Sequence, residues 1–281
     1  MNNTLDINRF GKVLRRDGLN FFPNLILTLA ILWAIPVVIY LSTCLMPTFG
    51  TYHVYDAMSR ISVIEALTKI ALIIAPARLY RYCNDSRKGI GYAMMPASTL
   101  EKFLSMVIYC VIVTPIIYIA GALAIDSILA LFNGPYEGYA MSIYFDRAAQ
   151  FNIVADRNGV YLGDTLPDFM NTVSPAFMTI SGLLSILMLS SIFMFGNMIF
   201  KKHKTGKMIG ILIVISIVLM IVFAHYLVKH ATIFTNMDED AATELVGRLI
   251  VIVMNVMLYI EIIISAVMLW GTYRKIKTQK Y

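Results

Sequence analysis

Charge is what this chain has least of. Among its 281 residues only 14% are Asp, Glu, Lys or Arg, while 59% are hydrophobic. A soluble domain carries about a quarter charged residues, so the deficit excludes an ordinary water-soluble fold and points to lipid-facing surface. Cysteine is scarce as well. Cys44, Cys83 and Cys110 fall in separate segments that cannot share one oxidising compartment, so structural disulfides are not expected. The four histidines are scattered, and His225 with His230 makes a poor metal pair. The chain lacks a G-x-x-x-x-G-K-[S/T] phosphate loop: Thr205-Gly206-Lys207-Met208 has neither the first glycine nor the final hydroxyl. No His-Glu-x-x-His helix and no Gly-x-Ser-x-Gly elbow occurs. Catalytic residues, a metal site and a cofactor are therefore not expected, and an internal repeat or low-complexity tract is not visible.

What is present is a series of long apolar runs. A hydrocarbon core about 30 Å thick takes about 20 apolar residues per helix. Six runs meet this: 22–46, 60–80, 103–125, 176–200, 208–228 and 249–271. Backbone groups in lipid must be satisfied within the segment, so the expected fold is all-α, a polytopic membrane protein with six transmembrane helices. The basic residues sort by side. The N-terminal tail (1–21), the connection between runs two and three, that between runs four and five, and the tail 272–281 hold 17 of the 23 Lys and Arg. Positive residues near short loops stay cytoplasmic, which predicts both termini inside. The net charge of +6 then reads as a topology signal. It calls for no nucleic-acid partner and at most for attraction to membrane lipids. The first run is too long, and lacks the small-residue site, for a cleavable signal peptide.

Residues 5 to 17 pattern as an amphipathic helix, with Ile7, Phe10, Val13 and Leu14 on one face and Arg9, Lys12, Arg15 and Arg16 on the other. Such a helix is expected in the headgroup layer, as a topology anchor or as a contact for a cytoplasmic partner. Of the external loops, 47–59 is short, the one around Asp238, Glu239, Asp240 and Glu244 is acidic and brief, and 126–175 forms a small cap. Within the cap, Asn158-Gly159 between β-prone runs predicts a hairpin.

The connection between runs two and three, Arg81 to Met106, carries the most information. Gly89 and Gly91 are expected to break a helix, Pro96 restricts Met95, and Ser98 with Glu101 forms a capping box that opens the third span. The string MMPASTLEKFLS, Met94 to Ser105, resembles the segment ahead of the third span in ATP-binding-cassette (ABC) type-2 exporter permeases. With the N-terminal Asn8 to Arg15, it is similar to uncharacterised six-span permease-like proteins of Bacteroidetes. That resemblance implies an exporter permease subunit in a bacterial inner (cytoplasmic) membrane, moving a substrate it does not identify. A separate ATP-binding subunit would drive it, and it would work as a homo- or heterodimer with a second permease chain. Pro96, Ser98, Glu101 and Lys102 would then sit at the ATPase contact. One departure is plain: the long external loop joins spans three and four rather than five and six. The alternative is a non-transporting integral membrane scaffold or immunity-like protein.

Three ionisable residues fall inside runs: Glu65, Lys69 and Glu261. Each costs about 2.5–3.5 kcal/mol on insertion scales unless partnered. Glu65 and Lys69 are four apart and can pair along one helix. Similar depths also allow a Lys69–Glu261 contact, either a structural pair or a gating element. Gly206 with Gly210, and Ser181 with Ser185, are small-residue pairs suited to close helix packing. Pro36, Pro76 and Pro115 predict kinks.

Overall fold

The computed structural model describes residues 5–45, 55–84, 89–132, 136–145, 175–235 and 239–278. The described residues form eight helices: α1 Ile7–Leu45, α2 Ala57–Leu79, α3 Gly89–Ala93, α4 Thr99–Leu131, α5 Ala140–Tyr144, α6 Pro175–Ile199, α7 Lys204–Thr235 and α8 Glu239–Thr278. A parallel two-residue pairing, β1 (Tyr55–Asp56) with β2 (Tyr136–Glu137), joins the segments ahead of α2 and after α4. The hairpin expected at Asn158-Gly159 lies outside the described residues. Glu239, Asp240 and Glu244, expected in a loop, begin α8 instead.

Five helical stretches are long and apolar enough to cross a membrane: Ile7–Leu45, Thr99–Leu131, Ile180–Ile199, Lys204–Val222 and Asn255–Thr278. The run 60–80 does form a helix of 23 residues. It is not among the five, because Arg60, Glu65, Lys69 and Arg78 break its apolar character. The molecule therefore has the character of a multi-pass membrane protein.

The main correction concerns the N-terminus. No separate interfacial helix exists; residues 7–45 form one helix that runs through Pro23 and Pro36. Its buried stripe is Val13, Asp17, Phe21, Leu25, Leu29 and Leu32, a spacing of three or four that continues from the amphipathic segment into the apolar run. Ile7, expected on the apolar face, is 79% exposed. The segment is held against α2 and α4 by polar contacts described below.

The core joins Phe21 and Leu25 of α1, Ile61 and Leu72 of α2, Met106 and Tyr118 of α4 and Met194 of α6. Close approach of α1 to α4 depends on Gly121, where a Cβ would stand 2.5 Å from the Trp33 indole. Trp33 Nε1 donates to Tyr118 O at 3.1 Å. Within α4, residues Ile108–Val113 adopt a π turn ahead of Pro115. The Thr114 N–H and its hydroxyl both donate to Tyr109 O, so the wider turn absorbs the proline expected to kink this helix. Gly271 of α8 lies under the Phe195 ring of α6 in the same manner as Gly121 under Trp33. In contrast, α7 stands apart: only 6% of its Lys204–Val222 stretch is buried, and nothing lies within 4 Å of a Cβ built on Gly206 or Gly210. Among the described residues nothing packs closely on the Gly206–Gly210 pair.

Candidate functional site at the basic end of the bundle

Helix ends meet at two poles. At one pole the start of α1, the end of α2, the start of α4, the end of α6 and the start of α7 converge. Ser98 precedes α4 in an extended conformation, and its Oγ accepts the Glu101 N–H at 3.2 Å. Glu101 Oε2 accepts the Ser98 N–H at 2.8 Å, which completes the expected capping box. The second carboxylate oxygen does a different job. Glu101 Oε1 accepts the Asp6 N–H at 2.9 Å and pairs with Arg9 Nη2 at 3.2 Å. Asp6 in turn caps α1, its Oδ1 accepting the N–H groups of Asn8 and Arg9. One carboxylate thus satisfies the amino ends of two helices.

Glu101 has no exposed surface. Burial pushes its carboxyl up, but the N–H donors of Asp6 and Ser98 and the Arg9 guanidinium outweigh burial and hold it below its ordinary 4.5. Lys102 is also buried, and its Nζ donates to Tyr92 O at 2.9 Å and stands 5.3 Å from the Tyr92 ring centre. Burial pulls this ammonium below its ordinary 10.5. Of the four residues expected at an ATPase contact, only Pro96 is exposed; Ser98, Glu101 and Lys102 face inward and brace the loop. The surface the loop offers is made by Met94, 79% exposed, and Pro96. Gly89 and Gly91 lie inside the short helix α3 and do not end one.

Sequence reasoning missed a second cluster. Asp17, on the α1 extension before the apolar run begins, is 6% exposed. Its Oδ2 accepts from Ser105 Oγ of α4 at 2.7 Å and from Tyr80 OH at the end of α2 at 3.1 Å. Its Oδ1 is buried without a partner among the described residues. Burial holds the Asp17 carboxyl above its ordinary 3.8 in spite of these bonds and of nearby Arg16. Tyr109 OH donates to Leu14 O at 2.8 Å, and Asn197 Nδ2 of α6 donates to Tyr80 O at 3.2 Å. Helices α1, α2, α4 and α6 are therefore cross-linked at this pole. The signal was available: an aspartate in second place of a four-spaced apolar stripe, Val13, Asp17, Phe21.

The charges expected inside spans form no ion pair with one another among the described residues. Among the described residues the ion pairs are Arg9–Asp6, Arg9–Glu101 and Arg60–Asp126, and Lys69 enters none of them. Lys69 is exposed on the flank of α2, Glu65 is half-buried, and Glu261 is half-buried with Oε2 unpartnered among the described residues. Neither the Glu65–Lys69 pair nor the Lys69–Glu261 pair is formed.

At the opposite pole a buried clasp closes the bundle. Arg60 Nε donates to Asp126 Oδ1 at 2.8 Å, with the two side chains 3% and 2% exposed. Arg60 Nη2 also donates to Gly138 O, and the guanidinium lies 4.4 Å from the Tyr136 ring centre. Asp126 Oδ2 accepts the Ala140 N–H at 3.3 Å, and Tyr136 OH donates to Pro36 O at 3.2 Å. The three cysteines are free, Cys83 and Cys110 buried and Cys44 exposed. Comparison of the chain with protein families, with curated proteins and with solved structures finds no match in any of the three.

Proposed function

We propose that this chain is the membrane-spanning permease subunit of an ATP-binding-cassette exporter, driven by a separate ATP-binding subunit. The observation that supports this most directly is the sharing of Glu101 between two helix starts. A push on the exposed Met94–Pro96 edge is transmitted through the capped start of α4 and through Arg9 to α1, without a flexible joint between. Asp17, Tyr80 and Ser105 extend the same linkage to α2. A loop built this way behaves as a lever on three membrane helices, as a coupling element requires. The basic pole faces the cytoplasm in this reading, by the positive-inside rule, and six spans, with α2 as the second, cross the inner membrane of a bacterium.

A second permease chain fits the exposed Lys69. It lies 12 residues from the start of α2 and 10 from its end. At 1.5 Å per residue that is about 15–18 Å from either end, beyond the reach of a snorkelling lysine. An ammonium left in lipid there costs about 2.5–3.5 kcal/mol on insertion scales, which a partner's acceptor removes. The flank of α2 bearing Lys69 is accordingly the dimer face in this reading.

The test is co-purification from native membranes under mild detergent, followed by ATP hydrolysis of the recovered complex. An exporter subunit brings down a nucleotide-binding partner. A Met94→Asp/Pro96→Asp variant loses that partner while the membrane domain remains folded. Recovery of the folded protein with no ATP-binding chain under several detergents overturns the reading and favours the non-transporting scaffold.

A further inference from the structure

A cavity of about 500 Å³ opens at the basic pole, away from the Glu101 and Asp17 clusters. One wall is the last turn of α2 and the residue that follows it, contributing Arg78 and Arg81. The other is the α6–α7 junction, contributing Lys201, Lys202, His203 and Lys204. Among the described residues no carboxylate lines it, and Arg78, Arg81, Lys201 and Lys202 take part in none of the ion pairs those residues form. These four positive charges around one cavity repel one another, so an anion bound among them stabilises the arrangement.

The cavity is built rather than a chance gap between loops. Lys204 Nζ donates to Arg81 O at 3.0 Å, which staples the two walls together. Behind them, the buried Asn197 donates to Tyr80 O. His203 adopts φ 50°, a left-handed conformation that side-chain-bearing residues seldom take. That turn starts α7 at once, with Lys207 N–H bonded to His203 O. The amino end of a 32-residue helix, Lys204 and Thr205, thereby forms part of the cavity lining. The helix dipole at that end adds to the field of the cations.

The remaining lining decides what kind of anion fits. Ile74 and Ala77 of α2 supply an apolar side. The apolar stretch of α7 also begins at the cavity edge, at Lys204, and runs to Val222 with most of its residues exposed. The cavity therefore lies where a membrane-crossing helix leaves lipid, with phosphate chemistry on one side and hydrocarbon on the other. Its volume falls in the range of pockets that take whole ligands, about 300–1,000 Å³, and exceeds the needs of a single phosphate.

We infer that this cavity is a binding site for the headgroup of an anionic phospholipid, best filled by one carrying two phosphates, whose acyl chains lie along α7. Basic recesses between membrane helices recognise such headgroups through clustered Lys and Arg. Arg78 and Arg81 supply planar, bidentate donors to the phosphate oxygens, and the lysines supply point charges that neutralise the second phosphate. The site does not depend on the permease reading, since a scaffold of this fold would bind the same lipid.

The experiment is native mass spectrometry of the delipidated full chain, titrated separately with diphosphatidylglycerol, phosphatidylglycerol, phosphatidylcholine and inorganic pyrophosphate. The wild-type protein binds one diphosphatidylglycerol at least tenfold more tightly than phosphatidylcholine, with phosphatidylglycerol between. Arg81→Gln/Lys201→Gln/Lys202→Gln loses that preference, and rising salt weakens what remains. Lys275→Gln/Lys277→Gln, which removes two exposed cations at the end of α8, leaves it unchanged. Thermal melting run in parallel reads folding and occupancy together: diphosphatidylglycerol raises the wild-type midpoint and leaves that of the folded triple variant where it was. Equal loss in the α8 variant, or no preference over phosphatidylcholine, overturns the site. Pyrophosphate binding as tightly as the lipid overturns the lipid assignment in favour of a soluble polyanion. If the triple variant fails to fold, Lys202→Glu alone is substituted, and an unchanged lipid preference in it counts against the site.

Discussion

The clasp between Arg60 and Asp126 gives a quantitative test of how the bundle is closed. Replacing Asp126 with Leu removes the acceptor at 2.8 Å from Arg60 Nε and the acceptor of the Ala140 N–H. The guanidinium stays 3% exposed and keeps the Gly138 carbonyl and the Tyr136 ring. The ring contact is worth about 0.5–2 kcal/mol and does not compensate a full charge. Breaking a buried pair from one side costs about 3–5 kcal/mol, because the surviving charge is left desolvated. Arg60→Met falls in the same range, for it leaves the carboxylate with the weaker, 3.3 Å bond from Ala140. The double variant Arg60→Met/Asp126→Leu has no stranded charge and is expected to recover to within about 1–2 kcal/mol of wild type. Unfolding in mixed detergent micelles, followed by fluorescence of Trp33 and Trp270, measures all four proteins in one cycle. A loss below about 1 kcal/mol in both single variants would refute the reasoning, since it would mean that water or another acceptor reaches the pair. So would a double variant that loses as much as the two singles added together.

Three further expectations follow from the same contacts. Glu101→Gln should lower stability by about 1.5–3 kcal/mol at neutral pH through loss of charged hydrogen bonds. Because the native carboxyl is held below 4.5, its contribution is complete above that value and fades as pH falls through the depressed one. The wild-type and Glu101→Gln curves should therefore converge in acid, and a gap that stays constant with pH would contradict the assignment. Gly121→Ala must move the Trp33 indole, which stands 2.5 Å from the new Cβ, at a cost of about 1–3 kcal/mol. A shifted Trp33 emission in a Trp270→Phe background reports it, and an unchanged spectrum would argue against this packing. In the folded, detergent-solubilised protein a maleimide should label Cys44 alone. Cys83 and Cys110 are fully buried and burial pushes the Cys83 thiol up, so labelling of Cys83 before denaturation would contradict the packing at the basic pole.

Much of the secondary structure was legible in the sequence because lipid imposes length and composition on every span. All six apolar runs became helices, and the Ser98–Glu101 box formed as read, since its two hydrogen bonds join residues three apart. The continuity of α1 was not legible. A basic amphipathic segment ahead of an apolar run reads as a separate helix in the headgroup layer. Long-range contacts such as Arg9–Glu101, Leu14–Tyr109 and Asp17–Ser105, 92, 95 and 88 residues apart in sequence, keep it in line. The charges expected inside spans show the same limit. Spacing put Glu65, Lys69 and Glu261 within plausible reach of one another, yet spacing does not set helix rotation, and Lys69 turned outward.

By itself the sequence determined that this chain is helical, apolar enough for a membrane, sorted by charge, and capped at Ser98. Those properties depend on residues within one or two helical turns, or on the sum of side-chain transfer free energies. The tertiary structure alone decided that Glu101 serves two helices, that Asp17 is buried, that Arg60 closes on Asp126, and that six basic side chains surround one cavity. Each of these joins residues tens of positions apart or more. Whether such groups meet depends on how helices rotate and pack, and local periodicity carries no record of that.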